Sequence, residues 1–279
     1  MKLAFSTLGV PGMPLAEVAR LARTDGWEGV ELRAHPEEPV HPGSPPEERA
    51  AARGEFTRAG VELFAVAGYV RVAAPGEDGP VLRELDALVR LAHDLGATYA
   101  RVFPGGGTRP APEADAVAAR RLGAVAPLAA DLGVRVLLET HDSHRTAADA
   151  ARVLGPVGHA HIGALWDVLH TWLGGEEPAV SLPVLAPHLG YVQVKDVASA
   201  RLLDPVPLGA GVLPLDACVD VLAAAGWDGW LCWEYEKRWY PRAAGFRELS
   251  AAGRQFLRAL ADGAQPAGPP RGGPSGGPF

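Results

Sequence analysis

Residues 80–103 read PVLRELDALVRLAHDLGATYARVF, an amphipathic segment followed at once by a short strand-like one. Apolar side chains recur at 81, 82, 85, 88, 89, 92 and 95, which is helical spacing, and Gly96 is the residue type on which such helices end. Residues 98–103 then read TYARVF, a β-rich run. The stretch predicts one helix–strand unit with a tight connection.

The same unit recurs along the chain, because short β-rich runs alternate with amphipathic segments. Repeated βα units indicate a parallel sheet, and eight of them fit a closed barrel better than an open sheet. No glycine-rich dinucleotide fingerprint follows the first run. The predicted strands are Leu3–Leu8, Gly29–Arg33, Glu62–Tyr69, Thr98–Phe103, Val134–Thr140, His159–Trp166, Tyr191–Val197 and Gly229–Tyr235. The predicted helices are Pro14–Arg23, Pro45–Ala59, Pro80–Leu95, Pro112–Leu132, Thr146–Leu154, Val180–Ala186, Pro214–Ala225 and Ala243–Leu260.

We therefore predict an α/β fold, a single (β/α)₈ TIM barrel over residues 1–262. The Gly- and Pro-rich residues 263–279 are predicted to be a disordered tail. The net charge of -7 predicts no broad basic face, which argues against bulk nucleic-acid binding. Cys218 and Cys232 form no CxxC pair, so neither a disulfide framework nor a thiolate metal site is expected. No apolar run approaches the length of a membrane span or signal peptide, and we expect a cytoplasmic protein.

In such barrels the active site lies at the carboxyl ends of the strands. Residues 134–144, VRVLLETHDSH, place Glu139 and His141 on the strand face that points to the barrel axis. The next strand ends in ALWDVLH, with Asp167 and His170 three residues apart. Glu139 could instead be satisfied by a loop amide or an arginine, and Asp167 could cap the following helix.

The last two strands carry polar residues on their inward faces as well. YVQVKDVAS puts Gln193 and Lys195 on one face, although Lys195 could be a snorkelling or ion-paired side chain. GWLCWEYEKRWYP alternates Glu234 and Glu236 with aromatic residues. An unpaired Glu234 among apolar neighbours would be costly, so it needs a cation, either a metal ion or Lys195.

Four consecutive strands thus end in a common set of oxygen-bearing residues: Glu139, Asp167, Gln193 and Glu234. Three carboxylates at one barrel mouth repel each other unless a divalent cation neutralises them. The early strand ends add three polar residues that could support the site or touch substrate: Glu31, Arg33 and His35.

On these motifs the chain resembles the xylose isomerase-like sugar phosphate isomerase/epimerase superfamily, over essentially residues 1–260. Its epimerases hold a metal ion with Glu, Asp, His and Glu on strands 5 to 8. LLETH, WDVLH and WEYE match three of these ligands at Glu139, Asp167 and Glu234. The third position normally reads H-x-K-D, and here Gln193 replaces the histidine.

The replacement leaves two alternatives. The Gln193 carbonyl oxygen can ligate, or it can hang free while water fills the position. Ligation makes an all-oxygen site, so Mn²⁺ is the expected ion, with Mg²⁺, Co²⁺ and Zn²⁺ as other candidates.

The resemblance implies isomerisation or epimerisation of a keto-sugar or cyclitol through an enediolate. Glu139 and Glu234 inherit the acid and base roles, His170 would hold a substrate oxygen, and Lys195 could stabilise developing negative charge. The implied partners are a small-molecule substrate and a further copy of the chain, since superfamily members are often oligomers.

Three alternatives remain open at this point. A metal-dependent lyase, either a dehydratase or a 3-keto-glycoside β-eliminating deglycosidase, would use the same ligands with His141 as base. An endonuclease IV-like phosphodiesterase needs more histidine ligands than His141, His144 and His170 supply, and we expect His144 to be solvated. A sugar-binding barrel without catalysis would not need the three carboxylates.

Overall fold

The computed structural model describes residues 1–264, and its centre is a closed ring of eight parallel strands. The ring strands are β1 (Lys2–Ser6), β2 (Gly29–Arg33), β3 (Glu62–Arg71), β4 (Tyr99–Phe103), β5 (Arg135–Glu139), β6 (Ile162–Asp167), β7 (Leu189–Val194) and β10 (Trp230–Trp233). Their order around the ring is β1-β10-β7-β6-β5-β4-β3-β2, so each strand pairs with its neighbours in the chain once the intervening β8 and β9 (Val197–Ser199 and Leu202–Pro205) are set aside. The predicted (β/α)₈ barrel is confirmed.

Helices connect the strands and cover the outside of the ring. They are α1 (Leu15–Asp25), α2 (Pro46–Ala59), α3 (Asp78–Leu95), α4 (Ala111–Asp131), α5 (Ala147–Val157), α6 (Val168–Leu173), α7 (Pro178–Leu185), α8 (Leu215–Ala224) and α9 (Phe246–Gly263). Gly96 closes α3 at φ 76°, a conformation that costs glycine little, and its amide bonds to the carbonyls of Ala92 and His93. Within the described residues, no helix combines the length and the apolar character needed to cross a membrane.

Two elements near the barrel mouth are absent from the predicted set. The first is the short α6, which begins directly after β6. The second is the antiparallel hairpin of β8 and β9, and the predicted strand Tyr191–Val197 accordingly ends at Val194. Asp196 explains the change of direction, because its carboxylate accepts hydrogen bonds from four backbone amides: Val197, Gly209, Gly211 and Leu213.

The last helix, α9, extends to Gly263, and the domain boundary at residue 262 stays a prediction. Residues 265–279 of the predicted disordered tail lie outside the described residues.

The strands separate two apolar layers. The lower interior of the barrel is filled by Ala4, Phe64, Ala65, Leu137, Leu165, Tyr191, Trp230 and Cys232. The larger layer lies between strands and helices, and it includes Val136, Leu138, Trp166 and Trp233. The alternation predicted for β5 is therefore confirmed: Leu137 points inward, while Val136 and Leu138 point to the helices. Residues two positions further along the inward faces reach the mouth.

Candidate active site

The four residues of the predicted metal set stand on neighbouring strands at the barrel mouth. Glu139 ends β5, Asp167 ends β6, Gln193 lies on β7, and Glu234 directly follows β10. All four are buried, with at most 4% of their surface exposed. The ring order β10-β7-β6-β5 brings them to one side of the mouth.

Lys195 is a buried counter-ion for three carboxylates. Its Nζ lies 2.8 Å from Asp167 Oδ2 and 2.9 Å from Glu236 Oε1, and it also contacts Glu234. Burial lowers the pKa of Lys195, but the charges of Asp167, Glu234 and Glu236 outweigh it and leave the pKa well above its usual value. Lys195 is therefore a cation fixed at the mouth. The structure thus shows Lys195 as an ion-paired side chain, one of the alternatives from the sequence. Glu236 joins the site through its ion pair with Lys195.

Arg101 on β4 is a second buried cation, and it was missing from the predicted site. Its Nε lies 3.0 Å from Glu139 Oε2, and its Nη2 lies 3.9 Å from Glu234 Oε1. Nη1 donates to the carbonyl of Gly68 at 3.1 Å, and the guanidinium stacks over Phe103 at 4.0 Å. The sequence contains a signal for this residue, because the alternation in TYARVF places Arg101 on the inward face of an otherwise apolar strand.

The pKa of Glu139 rises to about 8, first because the carboxyl is buried and then because Glu234 and Asp167 repel its charge. Arg101 and His141 work in the opposite direction. Both protonation states of Glu139 are consequently accessible near neutral pH, which is the property of a general acid or base.

Asp167 caps the following helix, the alternative that the sequence left open, and it also pairs with a cation. Its Oδ1 caps α6 by accepting from the backbone amides of Leu169, at 2.9 Å, and His170, at 3.4 Å. Its Oδ2 makes the ion pair with Lys195. The cap fixes the side chain, so the second oxygen is held at the mouth.

Two imidazoles complete this side of the mouth. The rings of His141 and His170 lie 4.0 Å apart between centroids. Burial lowers the pKa of His170, and the charges of His141 and Lys195 lower it further, so His170 is neutral. Burial also lowers the pKa of His141, but its contact with Asp142 at 3.5 Å and the charges of Glu139 and Asp167 produce a net rise.

His144 does not join the site, and the prediction that it is solvated is wrong. It is 1% exposed, and its Nε2 lies 2.8 Å from Asp115 Oδ1. Three residues were predicted at the early strand ends. Arg33 is buried in contacts with Tyr69 and Glu38, and His35 lies beside Tyr69 and Glu37. Glu31, by contrast, lies directly beneath the site, in contact with Gln193.

The charges and the unpaired polar atoms at the barrel mouth show whether these residues fit a metal ion. Five buried or nearly buried carboxyl groups share the cluster with two cations, Arg101 and Lys195; the five are Glu31, Glu139, Asp167, Glu234 and Glu236. The two side-chain cations are therefore outnumbered by carboxyl groups, although burial raises the pKa of Glu31, Glu139 and Glu236. Gln193 Oε1 is buried and has no hydrogen-bond partner. An excess of carboxylate and an unpaired carbonyl oxygen fit a hard divalent cation.

Of the described His, Cys, Asp and Glu residues, one group satisfies the distances of a metal site, and it shares only Glu139 with the predicted oxygen set. Among the described residues, ligand atoms of Glu139, His141 and His170 all lie within 4.8 Å of one another. Glu139 is common to both groups, so it is the residue on which any ion at this mouth depends.

The cavity above these residues has a volume of about 190 Å³. It is lined by Leu8, Tyr69, Arg101, Phe103, Glu139, His141, Leu169, His170, Leu203, Glu234, Glu236 and Trp239. Leu203 belongs to the β8–β9 hairpin, so this unpredicted element forms part of the wall. Trp166 and Trp233 do not line the cavity and are core residues between strands and helices.

Comparisons with known proteins give a sequence relative and structures of similar fold. The chain is 29% identical over 268 residues to a Streptomyces coelicolor protein named "Putative hydroxypyruvate isomerase", covering 87% of this chain and 92% of that one. Its fold matches a crystal structure called the "probable 3-DHS dehydratase AsbF" from Bacillus anthracis, with TM-score 0.78, 20% identity, and coverage of 92% of this chain and 99% of that one. It also matches the IolI protein with a bound zinc atom, with TM-score 0.80, 17% identity, and coverage of 95% and 99%.

These two structural likenesses concern the fold alone. The sequence pattern described as "Xylose isomerase-like TIM barrel" matches residues 19–260, most of the chain. The protein therefore belongs to the xylose isomerase-like TIM barrel family.

Proposed function

We propose that the protein is a divalent-metal-dependent isomerase or epimerase that acts on a small keto-sugar or cyclitol. The observation that carries the proposal is the pair Glu139 and Glu234, which line one cavity of about 190 Å³ from β5 and from the end of β10. Two carboxyl groups around one small cavity can remove and return a proton at carbon. The similarity to a protein named for hydroxypyruvate isomerisation supports the same class of reaction.

The metal would be held by Glu139, Asp167, Gln193 and Glu234, and the expected ion is Mn²⁺. When bound, it supplies Lewis acidity and a template for a carbonyl and the adjacent hydroxyl. This oxygen set is preferred to the group with His141 and His170 because it uses the unpaired Gln193 Oε1. Lys195 would keep Glu236 as a partner if Asp167 and Glu234 held the ion.

The chain's own residues then divide the proton transfer between them. Glu139 takes the proton from the carbon next to the carbonyl or returns it, and Glu234 acts at the other position. His170, neutral because of its burial, holds a substrate oxygen by hydrogen bonding. Lys195 remains charged and offsets the negative charge of the enediolate.

A lyase is the second candidate, and His141 favours it. This imidazole lines the cavity beside Glu139 and is only half-buried, so it can act as a base that is not a member of the oxygen set. The fold likeness to a probable dehydratase is compatible with this outcome. The phosphodiesterase alternative loses support, because Asp115 already engages His144.

Hydrogen–deuterium exchange followed by NMR tests the proposal. Manganese-loaded protein is incubated in D₂O with keto-sugars, inososes, hydroxypyruvate and 3-keto-glycosides. Deuterium entering the carbon next to a carbonyl supports proton abstraction, and the product separates the two reactions: an isomer or epimer for the first, water or an aglycone released for the second. No incorporation with any of these substrates, in protein shown to bind Mn²⁺, would favour the sugar-binding barrel.

His141→Ala sharpens the choice between isomerase and lyase. The variant should keep Mn²⁺ in either case, since His141 is outside the oxygen set. As an isomerase the protein should lose little turnover, whereas as a lyase it should lose about 10²–10⁴-fold in kcat. His93→Ala, which removes an exposed histidine on α3 away from the cavity, serves as the matched control.

A further inference from the structure

Gln193 presents the two ends of its amide to different surroundings. Its Nε2 donates to both carboxylate oxygens of Glu31, at 3.1 and 2.9 Å, and to Glu234 Oε1 at 3.2 Å. Its Oε1 is buried and has no hydrogen-bond partner. A buried acceptor left unpaired costs about 1–3 kcal/mol. Some contact must therefore hold the amide in this orientation, and a ligand bound to Oε1 would offset the cost.

Glu31 is the cause of the orientation. Both oxygens of Glu31 accept hydrogen bonds, from Gln193 Nε2 and the Tyr191 hydroxyl, so turning the amide by 180° would bring Oε1 against acceptor oxygens of Glu31 and Glu234. Glu31 itself is fixed, because it is fully buried on β2 and accepts a hydrogen bond from the Tyr191 hydroxyl. The side chain of Gln193 consequently has one stable orientation, with its carbonyl oxygen away from Glu31.

We propose that Glu31 is a positioning residue that holds Gln193 Oε1 as a metal ligand. This inference rests on the proposed function, because it assumes that the ion binds at the mouth. Glu31 acts through the amide hydrogens and is not itself a ligand. The pair does for an amide what a carboxylate behind a metal-bound histidine does for an imidazole, and it supplies an oxygen, which favours Mn²⁺ and Mg²⁺ over Zn²⁺.

Titration calorimetry with Mn²⁺ tests the proposal. An amide at residue 31 offers both a donor and an acceptor, so in Glu31→Gln the Gln193 amide can turn either way. We expect the Mn²⁺ dissociation constant to rise by about 10–100-fold, the usual effect of removing such a partner. Tyr191→Phe is the matched control, since it removes the other contact of Glu31 and leaves both contacts to Gln193; its loss should be clearly smaller.

Glu31→Asp separates positioning from charge and guards against a Glu31→Gln protein that fails to fold. It keeps a buried carboxylate but withdraws it by one methylene from Gln193. Positioning predicts weaker Mn²⁺ binding in this variant too, whereas a role as a bare negative charge predicts unchanged binding. Thermal unfolding of each metal-free variant identifies any that is not folded.

A double-mutant cycle gives the deciding readout. In a Gln193→Leu background there is no amide to orient, so Glu31→Gln should have no further effect on Mn²⁺ affinity. An equal effect in both backgrounds, or no effect of Glu31→Gln in the original protein, would overturn the inference while leaving the proposed function in place. If the unaltered protein binds no Mn²⁺, the proposed function fails, and the inference fails with it.

Discussion

Leu137 and Glu139 lie two residues apart on β5 and face the same barrel interior, yet their surroundings are opposite. Leu137 belongs to the lower layer, among apolar side chains such as Phe64 and Tyr191. Glu139 lies one layer higher, against Arg101 and near Asp167 and Glu234. Both are essentially inaccessible to solvent.

The difference shows how one barrel interior serves two purposes. Burial of apolar surface in the lower layer contributes directly to folding. Burial of charge in the upper layer costs free energy, and pairing with Arg101 and Lys195 offsets only part of that cost. The upper layer is therefore where the fold gives up stability, as functional sites commonly do.

Glu139→Gln and Glu234→Gln, two changes in the upper layer, should have the largest effect, and it should be on metal binding and exchange. Each removes a proposed metal ligand and a proton carrier, so Mn²⁺ retention should be lost and deuterium exchange slowed by about 10²–10⁴-fold. Metal analysis after gel filtration and NMR exchange rates provide the measurements. Glu62→Gln, a change of an exposed carboxylate on β3, should leave both unaltered. Retained exchange in either site variant would remove that residue from its role.

Leu137→Ala, a change in the lower layer, should have the next largest effect, and it should be on stability. Removal of this side chain leaves a cavity in the lower layer, which should reduce the free energy of unfolding by about 2–5 kcal/mol. The Mn²⁺ affinity of the folded protein should not change, because the ligands stand one layer above. Denaturant unfolding and calorimetry check the two parts, and a large loss of Mn²⁺ affinity would show that the layers are not separate.

A change of pH should alter the Mn²⁺ affinity moderately. Burial raises the pKa of Glu139 from 4.5 to about 8, so below pH 8 the carboxyl carries a proton that must leave before it can ligate. Mn²⁺ affinity should therefore increase with pH, by up to about tenfold per unit, and level off above pH 8. Calorimetry at pH 7 in two buffers of different ionisation enthalpy should detect proton release; its absence would contradict the assigned carboxyl.

Lys2→Ala should have the smallest effect, since it removes two exposed contacts, an ion pair with Glu62 and a cation–π contact 4.7 Å from the ring of Trp230. Lys2 and Glu62 lie 3.4 Å apart, and about half of each side chain is exposed. Such pairs contribute up to about 1 kcal/mol, which 1 M salt should largely abolish. A comparison of unfolding at low and high salt measures the contribution. A loss as large as that of Leu137→Ala would mean that the rim of the barrel is more important to stability than its interior.

Much of the fold could be predicted because its signals are local. The 3.6-residue period of α3 and its glycine cap are readable in residues 80–96, and the two-residue period assigns the inward face of β5. The short α6 and the β8–β9 hairpin were missed, because α6 is only six residues long and the hairpin depends on Asp196 binding amides up to seventeen residues away. Gly211 shows the same dependence, since a Cβ there would lie 2.1 Å from Asp196 Oδ1.

The sequence by itself determined the parallel barrel and the positions of Glu139, Asp167, Gln193 and Glu234 at adjoining strand ends, because periodicity and strand order are written along the chain. Only the tertiary structure decided which groups neutralise them. Arg101 and Glu139 come from different strands, and so do Glu31 and Gln193, which are 162 residues apart. Ring closure brings Glu31 and Gln193 together across the barrel, and no local pattern records that contact, whereas Arg101 and Glu139 meet because β4 pairs with β5.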